Sequence, residues 1–148
     1  RQKGAEILLL GAGGAGRAIA HALAAETPAS VMVMDRDAES VAFTVDLINE
    51  VTGGSIARKA GPDAGKASVW INATPVGLKP GDEFPVDLGA LTPDTLVADI
   101  ASLSRETELL ARARALGCAT SDGNDMLNAQ ISLIAGFAAG HQAGHPLA

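Results

Sequence analysis

Ile7-Leu8-Leu9-Leu10-Gly11-Ala12-Gly13-Gly14-Ala15-Gly16 is the stretch that decides the fold. Its aliphatic run has no polar alternate, the pattern of a central strand buried on both faces. From Ala15 the spacing turns helical: Ala15, Ala18, Ile19, Ala22 and Leu23 recur at i, i+3, i+4, i+7 and i+8, one stripe of small apolar residues. Between strand and helix stands Gly-x-Gly-x-x-Gly. There Gly11 lets the chain turn off the strand, Gly13 lets the backbone approach a pyrophosphate, and Gly16 lets the helix lie close to the sheet. The first N–H groups of the helix, Gly11 to Ala15 included in the loop that presents them, would face the phosphates with the positive end of the helix dipole behind them. The pattern alone is weak; strand, turn, helix and second strand at the right lengths give it meaning.

Outward from that loop, Thr27-Pro28 ends the first helix and Val31 to Met34 reads as the second strand. Asp35 closes this strand where an acid would hold the adenine ribose hydroxyls. A carboxylate there repels a 2′-phosphate and favours NAD; Arg36, next to it, could accommodate a phosphate and stack on adenine, so NADP stays open as the second choice. Asp37 is placed to cap a second helix, with Val41, Val45 and Ile48 facing inward and Gly53-Gly54 at its end. Ser55 to Ala57 is expected as a third strand and Val69 to Asn72 as a fourth. Prolines at 75, 80, 85 and 93 mark an irregular loop. Leu96 to Ile100 reads as a fifth strand, Ser104 as the cap of a helix running to Leu116 and stopped by Gly117, and Cys118 to Thr120 as a sixth strand. A last helix is expected from about Asp125 to Gly140, with Leu127, Ile131, Ile134 and Ala138 inward. The alternation implies one α/β domain over 1–148: a doubly wound, Rossmann-type parallel sheet with helices on both faces.

Composition narrows the partners. The 148 residues are 47% hydrophobic and 19% charged, with a net charge of −6 and no Lys/Arg run, which argues against nucleic-acid or anionic-membrane surfaces. No apolar stretch approaches the roughly 20 residues of a membrane span; Gln130 to Ala139 reads as a core helix. The single cysteine, Cys118, excludes an internal disulfide, fits a reducing cytoplasm and reads as a small buried side chain rather than a nucleophile. His21, His141 and His145 read as surface residues, no cluster has metal-ligand spacing, and no residue stands out as a general acid or base. The chain opens at Arg1 without an initiator Met and goes straight into a strand, so an N-terminal part is expected outside this sequence.

The second informative string is Asn72-Ala73-Thr74-Pro75-Val76-Gly77-Leu78, leaving the fourth strand at the edge where open α/β sheets bind ligands. Together with Gly-Ala-Gly-Gly-Ala-Gly it resembles the C-terminal domain of the shikimate/quinate dehydrogenase family. The resemblance extends through Val97-Ala98-Asp99-Ile100, Thr107 to Leu110, Gly117-Cys118, Asp122-Gly123, Met126-Leu127 and Gln130. It implies hydride transfer between NAD(P) and 3-dehydroshikimate/shikimate or a related cyclic hydroxy acid. By position it implies pyrophosphate contacts at Gly11, Ala12, Gly13, Gly14 and Ala15, cofactor selection at Asp35 and Arg36, and a cofactor path along Ala73 and Thr74. Ile100 and Gly123 would flank the nicotinamide, and Gln130 would reach substrate hydroxyls. It further implies a small-molecule substrate and a separate N-terminal domain carrying a Lys and Asp catalytic pair, leaving no catalytic residue here; the oligomeric state is open, with a homodimer as one option.

Three departures mark a divergent member. Ser102 stands where the family commonly has a substrate-touching Tyr, Asp125 replaces the second glycine of Asp-Gly-x-Gly-Met, and Asp35-Arg36-Asp37 replaces the Asn-Arg-Thr of NADP-using members. Two other readings stay open: a dinucleotide-binding module without chemistry, and the cofactor domain of another dehydrogenase, such as a methylene-tetrahydrofolate or glutamyl-tRNA reductase relative.

Overall fold

The computed structural model of the chain describes residues 5–26, 28–74, 76, 84–100 and 107–122. Six strands, β1 (Glu6–Leu10), β2 (Ser30–Met34), β3 (Ala57–Lys59), β4 (Val69–Asn72), β5 (Leu96–Asp99) and β6 (Ala119–Asp122), form one sheet in the order β3-β2-β1-β4-β5-β6. All five pairings are parallel. The order reverses between β1 and β4, the place where a doubly wound sheet opens a crevice at its carboxyl edge.

Alternate strand residues face opposite layers, as the two-residue period of a strand requires. Ile7, Leu9, Val31, Val33, Val69, Ile71, Leu96 and Ala98 share one core with Ile19, Ala20 and Leu23 of α1 (Gly14–Ala24) and Val41 and Ile48 of α2 (Ala38–Thr52). Leu8, Leu10, Met32, Trp70 and Val97 share the other with Leu109, Leu110 and Ala113 of α3 (Glu108–Ala115). Helices therefore cover both faces, and the run 7–10 is buried on both sides, as its unbroken hydrophobicity implies. Burying one such side chain stabilises by about 1.5–3 kcal/mol, so β1 is the sheet's anchor.

The local signals hold where they are self-contained. The Asp37 carboxylate accepts from the Glu39 N–H and caps α2, and Gly53, at φ +73°, ends it in the left-handed region. Several boundaries differ from expectation; β5, for instance, stops at Asp99, one residue short of Ile100. The third strand begins at Ala57 rather than Ser55, because the Asn49 side chain of α2 grips both backbone groups of Ala57, its Oδ1 accepting from the N–H at 2.8 Å and its Nδ2 donating to the carbonyl at 3.2 Å. Helix α3 is capped by Thr107 rather than Ser104. The sixth strand starts one residue late because Cys118 closes the end of α3: its N–H donates to Ala113 O, and that of Gly117, at φ +86°, donates to Arg114 O, a Schellman stop. The first helix ends at Ala24, ahead of Thr27-Pro28. The helix expected from about Asp125 to Gly140 lies outside the described residues.

Thr44 of α2 is wholly buried, and its hydroxyl finds no hydrogen-bond partner among the described residues. An unsatisfied buried hydroxyl costs about 1–3 kcal/mol. Thr44→Val, of nearly the same shape, is therefore expected to raise the urea midpoint at unchanged slope, by about 1 kcal/mol of stability; a lowered midpoint would contradict it.

Candidate functional site

At the carboxyl edge of the sheet the chain brings together the loop after β1, Asp35 after β2, Ala73 and Thr74 after β4, and Ile100 after β5. Gly11 sits at their junction with φ +109°, a backbone conformation that L side chains rarely adopt. A Cβ added there would lie 2.9 Å from Ala73 O and 3.0 Å from the Thr74 methyl carbon. The Gly11 N–H donates to Met34 O at 2.8 Å, tying the turn to the end of β2. Gly16 is equally constrained, but by the loop rather than by the sheet: a Cβ on it would be driven into the Gly11 carbonyl. Glycine at 16 thus lets the first turn of α1 fold down over Gly11.

Gly13 and Gly14 are different. Among the described residues a Cβ at either would meet nothing within 4 Å, and Gly13, the cap of α1, has an ordinary extended backbone at φ −80°. Neither glycine is demanded by packing against the described residues. Both border a helix start that no side chain among the described residues caps and whose first turn carries no acid. Gly13, Gly14 and Ala15 are exposed, while Ala12 beneath them is fully buried. Unpaired N–H groups with a positive dipole end and no side chain in the way fit an anionic group such as a pyrophosphate.

Asp35 closes this space from the side of β2. Its Oδ2 accepts from the Ala12 N–H at 2.7 Å and its Oδ1 from the Asp37 N–H at 2.9 Å. Burial alone would raise its pKa, but the hydrogen bonds from the Asp37, Ala12 and Arg36 amides, with the nearby Arg36 guanidinium, outweigh it and hold the carboxyl below its usual range. A carboxylate has about four lone-pair sites, so capacity remains for two hydroxyls of a ligand. Arg36 itself is exposed. Arg17 of α1 packs nearby, its Nε donating to Ala12 O at 3.1 Å, its Nη2 to Ser40 Oγ at 3.4 Å, and its guanidinium lying 4.3 Å from the Phe43 ring centroid. It joins α1 to α2 beside Asp35, a role its place in the sequence did not reveal.

After β4, Asn72 is fully buried. Its Oδ1 accepts from the Thr74 N–H at 3.0 Å and the Thr74 hydroxyl at 2.6 Å; its Nδ2 donates to Val76 O at 3.0 Å and to Asp99 Oδ1 at 3.2 Å. Asp99, also fully buried, accepts from the Thr107 hydroxyl through Oδ2 at 2.6 Å. Each of these residues stands in a motif of the sequence, but their contact does not follow from the motifs. The available signal was a carboxylate inside the otherwise apolar run Val97-Ala98-Asp99-Ile100, since a buried charge requires polar partners.

Ile100 is half-buried against the first core layer, and its N–H donates to Asn72 O at 3.0 Å. Ser102, Gly123 and Gln130 lie outside the described residues, as do His141 and His145. His21 is exposed on α1. Cys118 is buried with its thiol donating to Thr92 O at 3.1 Å, and burial pushes that thiol's pKa up, the reverse of what a nucleophile needs. Among the described residues no cluster of His, Cys, Asp or Glu could hold a metal ion, and no helix is long and apolar enough to cross a membrane.

No family model matches the chain. Individual proteins do. The quinate/shikimate dehydrogenase (NAD(+)) of Corynebacterium glutamicum strain R is 39% identical over 127 residues, covering 81% of this chain and 44% of that protein. The shikimate dehydrogenase (NADP(+)) of Streptomyces avermitilis is 39% identical over 125 residues, covering 81% and 43%. Among solved structures, quinate dehydrogenase from Corynebacterium glutamicum in complex with NAD matches with TM-score 0.75 and 33% identity over 95% of this chain and 51% of that one. The ligand-free 5-ketofructose reductase of Gluconobacter sp. strain CHM43 matches with TM-score 0.73 and 36% identity over 93% and 52%. The chain spans about half the length of the relatives it matches. With the glycine loop, the Asn72–Thr74 turn and the parallel sheet all in place, sequence and fold together make this chain a member of the shikimate/quinate dehydrogenase family.

Proposed function

We propose that this chain is the cofactor-binding half of a shikimate-dehydrogenase-like oxidoreductase, serving hydride transfer between NAD(P) and 3-dehydroshikimate/shikimate or a related cyclic hydroxy acid. The observation that carries the reading is the pair Gly13 and Gly14, which packing against the described residues does not require and which open onto a helix start that no described side chain caps. In this reading Gly11, Ala12, Gly13, Gly14 and Ala15 cradle the pyrophosphate, Asp35 receives the adenine ribose hydroxyls with Arg36 beside it, and Ala73, Thr74 and Ile100 line the path toward the nicotinamide. Gly123 is proposed to complete the nicotinamide side, and Ser102 and Gln130 to meet substrate. The cofactor, when bound, supplies or accepts the hydride; the chain's task is to bind and orient it.

The proton chemistry is assigned to a separate N-terminal domain. Its support is the length of the relatives, about twice that of the matched segment. A homodimer and a reducing, cytoplasmic setting belong to the same proposal, the latter in keeping with the free thiol of Cys118. NAD is the preferred cofactor because Asp35 presents a carboxylate where a 2′-phosphate would have to sit. A second substrate reading has one observation in its favour, the likeness to 5-ketofructose reductase. The full-length protein, assayed with 3-dehydroshikimate and with 5-ketofructose, decides between them; reduction of neither with NADH or NADPH would sink both.

Two variants test the site itself. Gly13→Val is expected to leave the fold intact, since its Cβ meets nothing, yet to weaken dinucleotide binding by about a hundredfold or more, roughly 2.7 kcal/mol. Gly16→Ala is expected to do the opposite and lower thermal stability outright. Equal losses of stability in both would refute the distinction. Asp35→Asn keeps one acceptor but removes the charge, so NADPH is expected to gain about tenfold relative to NADH; an unchanged ratio would remove Asp35 as the selector. Because the hydrogen bonds to Asp35 hold its pKa below the usual carboxylate value of about 3.9, its charge is lost only as pH falls through that lowered value. Asp35 should therefore keep its charge from about pH 5 to 8. NADH affinity is expected to stay flat over that range, while NADPH affinity falls as its 2′-phosphate loses its second proton near about pH 6, checked by measuring both affinities. An NADH affinity that drops between about pH 8 and 5 would contradict the lowered Asp35 pKa.

A further inference from the structure

The buried side chains between Thr74 and α3 form a line of hydrogen bonds whose directions are all fixed by backbone groups. The Leu110 N–H can only donate, and it reaches Thr107 Oγ1 at 3.3 Å. The Thr107 hydroxyl proton is thereby directed to Asp99 Oδ2, 2.6 Å away. At the other end, Asn72 cannot be turned over: its Nδ2 faces the Val76 carbonyl and its Oδ1 faces the Thr74 N–H. So Nδ2 also donates to Asp99 Oδ1, across 27 residues of sequence. The Thr74 hydroxyl donates to Asn72 Oδ1 while accepting from the Val76 N–H at 3.1 Å. Asp99 is thus the acceptor on which two donors from different elements converge.

The line ends at the wall on which the glycine loop leans. Ala73 O and the Thr74 methyl are the atoms that occupy the place of a Gly11 side chain, and the Ala73 N–H donates to Leu10 O at 2.7 Å. We infer that Asp99 and Thr107 are positioning residues for the dinucleotide site: they fix the Asn72–Thr74 turn against Gly11 and so connect the start of α3 to the phosphate loop. The inference rests on the dinucleotide reading above, and it adds residues that touch neither loop nor ligand directly.

Thr107 allows the cleanest test, because it is buried behind β5 and has no part in the glycine loop. Three variants of the full-length protein separate positioning from general stability. Thr107→Val removes the hydroxyl, Thr107→Ser retains it, and Ala113→Gly weakens α3 without touching the line of hydrogen bonds. The readouts are the backbone amide resonances of Gly11, Ala73 and Thr74 in the ligand-free protein, and the Kd for NADH. Thr107→Val is expected to move those three resonances and weaken NADH binding by about five- to tenfold. Thr107→Ser should restore both, and Ala113→Gly should change neither while lowering thermal stability. Unmoved resonances in Thr107→Val, or equal shifts in Ala113→Gly, would overturn the positioning role, as would shifted resonances with an unchanged Kd. Failure of the parent protein to bind NADH is a different result: it strikes the dinucleotide reading, and the resonance shifts then report on the positioning of the turn by itself.

Discussion

The carbonyl of Gly11 lies directly under Gly16, and the Ala73 carbonyl and Thr74 methyl lie where a Gly11 side chain would be. The ends of β1 and β4 and the start of α1 therefore converge with no Cβ from Gly11 or Gly16 between them. That contact depends on two absent Cβ atoms and on one left-handed φ, and the other features of the edge follow from it. It brings the amino end of α1 down over the β1–β4 switch point, where the helix dipole faces the crevice rather than solvent at large. It also places the Asn72–Thr74 turn so that whatever fixes the turn fixes the phosphate loop.

Asp35 approaches the same loop from the far side, accepting from the Ala12 amide at 2.7 Å. The loop is thus held by β2 on one flank and by β4 on the other before any ligand arrives. A cradle held in this way spends little binding free energy on ordering itself, which suits the cofactor-binding role proposed for it. Gly13 and Gly14 stand apart from this bracing. They are glycines that the folded chain tolerates as open space, and their value lies in what can approach them.

Much of this was legible because its causes are local. The double-sided burial of Leu8, Leu9 and Leu10, the capping of α2 by Asp37 and its stop at Gly53 all follow from neighbours in sequence. The parallel pairing of the strands, though not their order, follows from alternating strands and helices. Where the reading slipped, the deciding partner lay outside the element itself. Ser104 and Thr107 are both good helix caps, and Asp99, eight residues upstream of Thr107, binds the latter. Asn49 shifts the start of β3 by clamping Ala57, and Cys118 is drawn out of β6 by the carbonyl of Ala113. The role of Gly16 was legible only in outline, since its obstacle is the loop's own carbonyl and not the sheet. The convergence of Asn72 and Thr107 on Asp99 was invisible in the sequence, because it depends on β4 and β5 lying side by side in register.

Trp70 offers the most direct view of whether this edge binds a nicotinamide dinucleotide. It is the only tryptophan in the chain and is fully buried on β4, two residues before Asn72. Its emission overlaps the absorption of reduced nicotinamide, so a cofactor seated at the end of β4 drains it by energy transfer. Titrating NADH and NADPH separately into the 148-residue chain should give saturable quenching by NADH, with NADPH weaker. Quenching by neither cofactor would contradict the assignment of the glycine loop as a dinucleotide site.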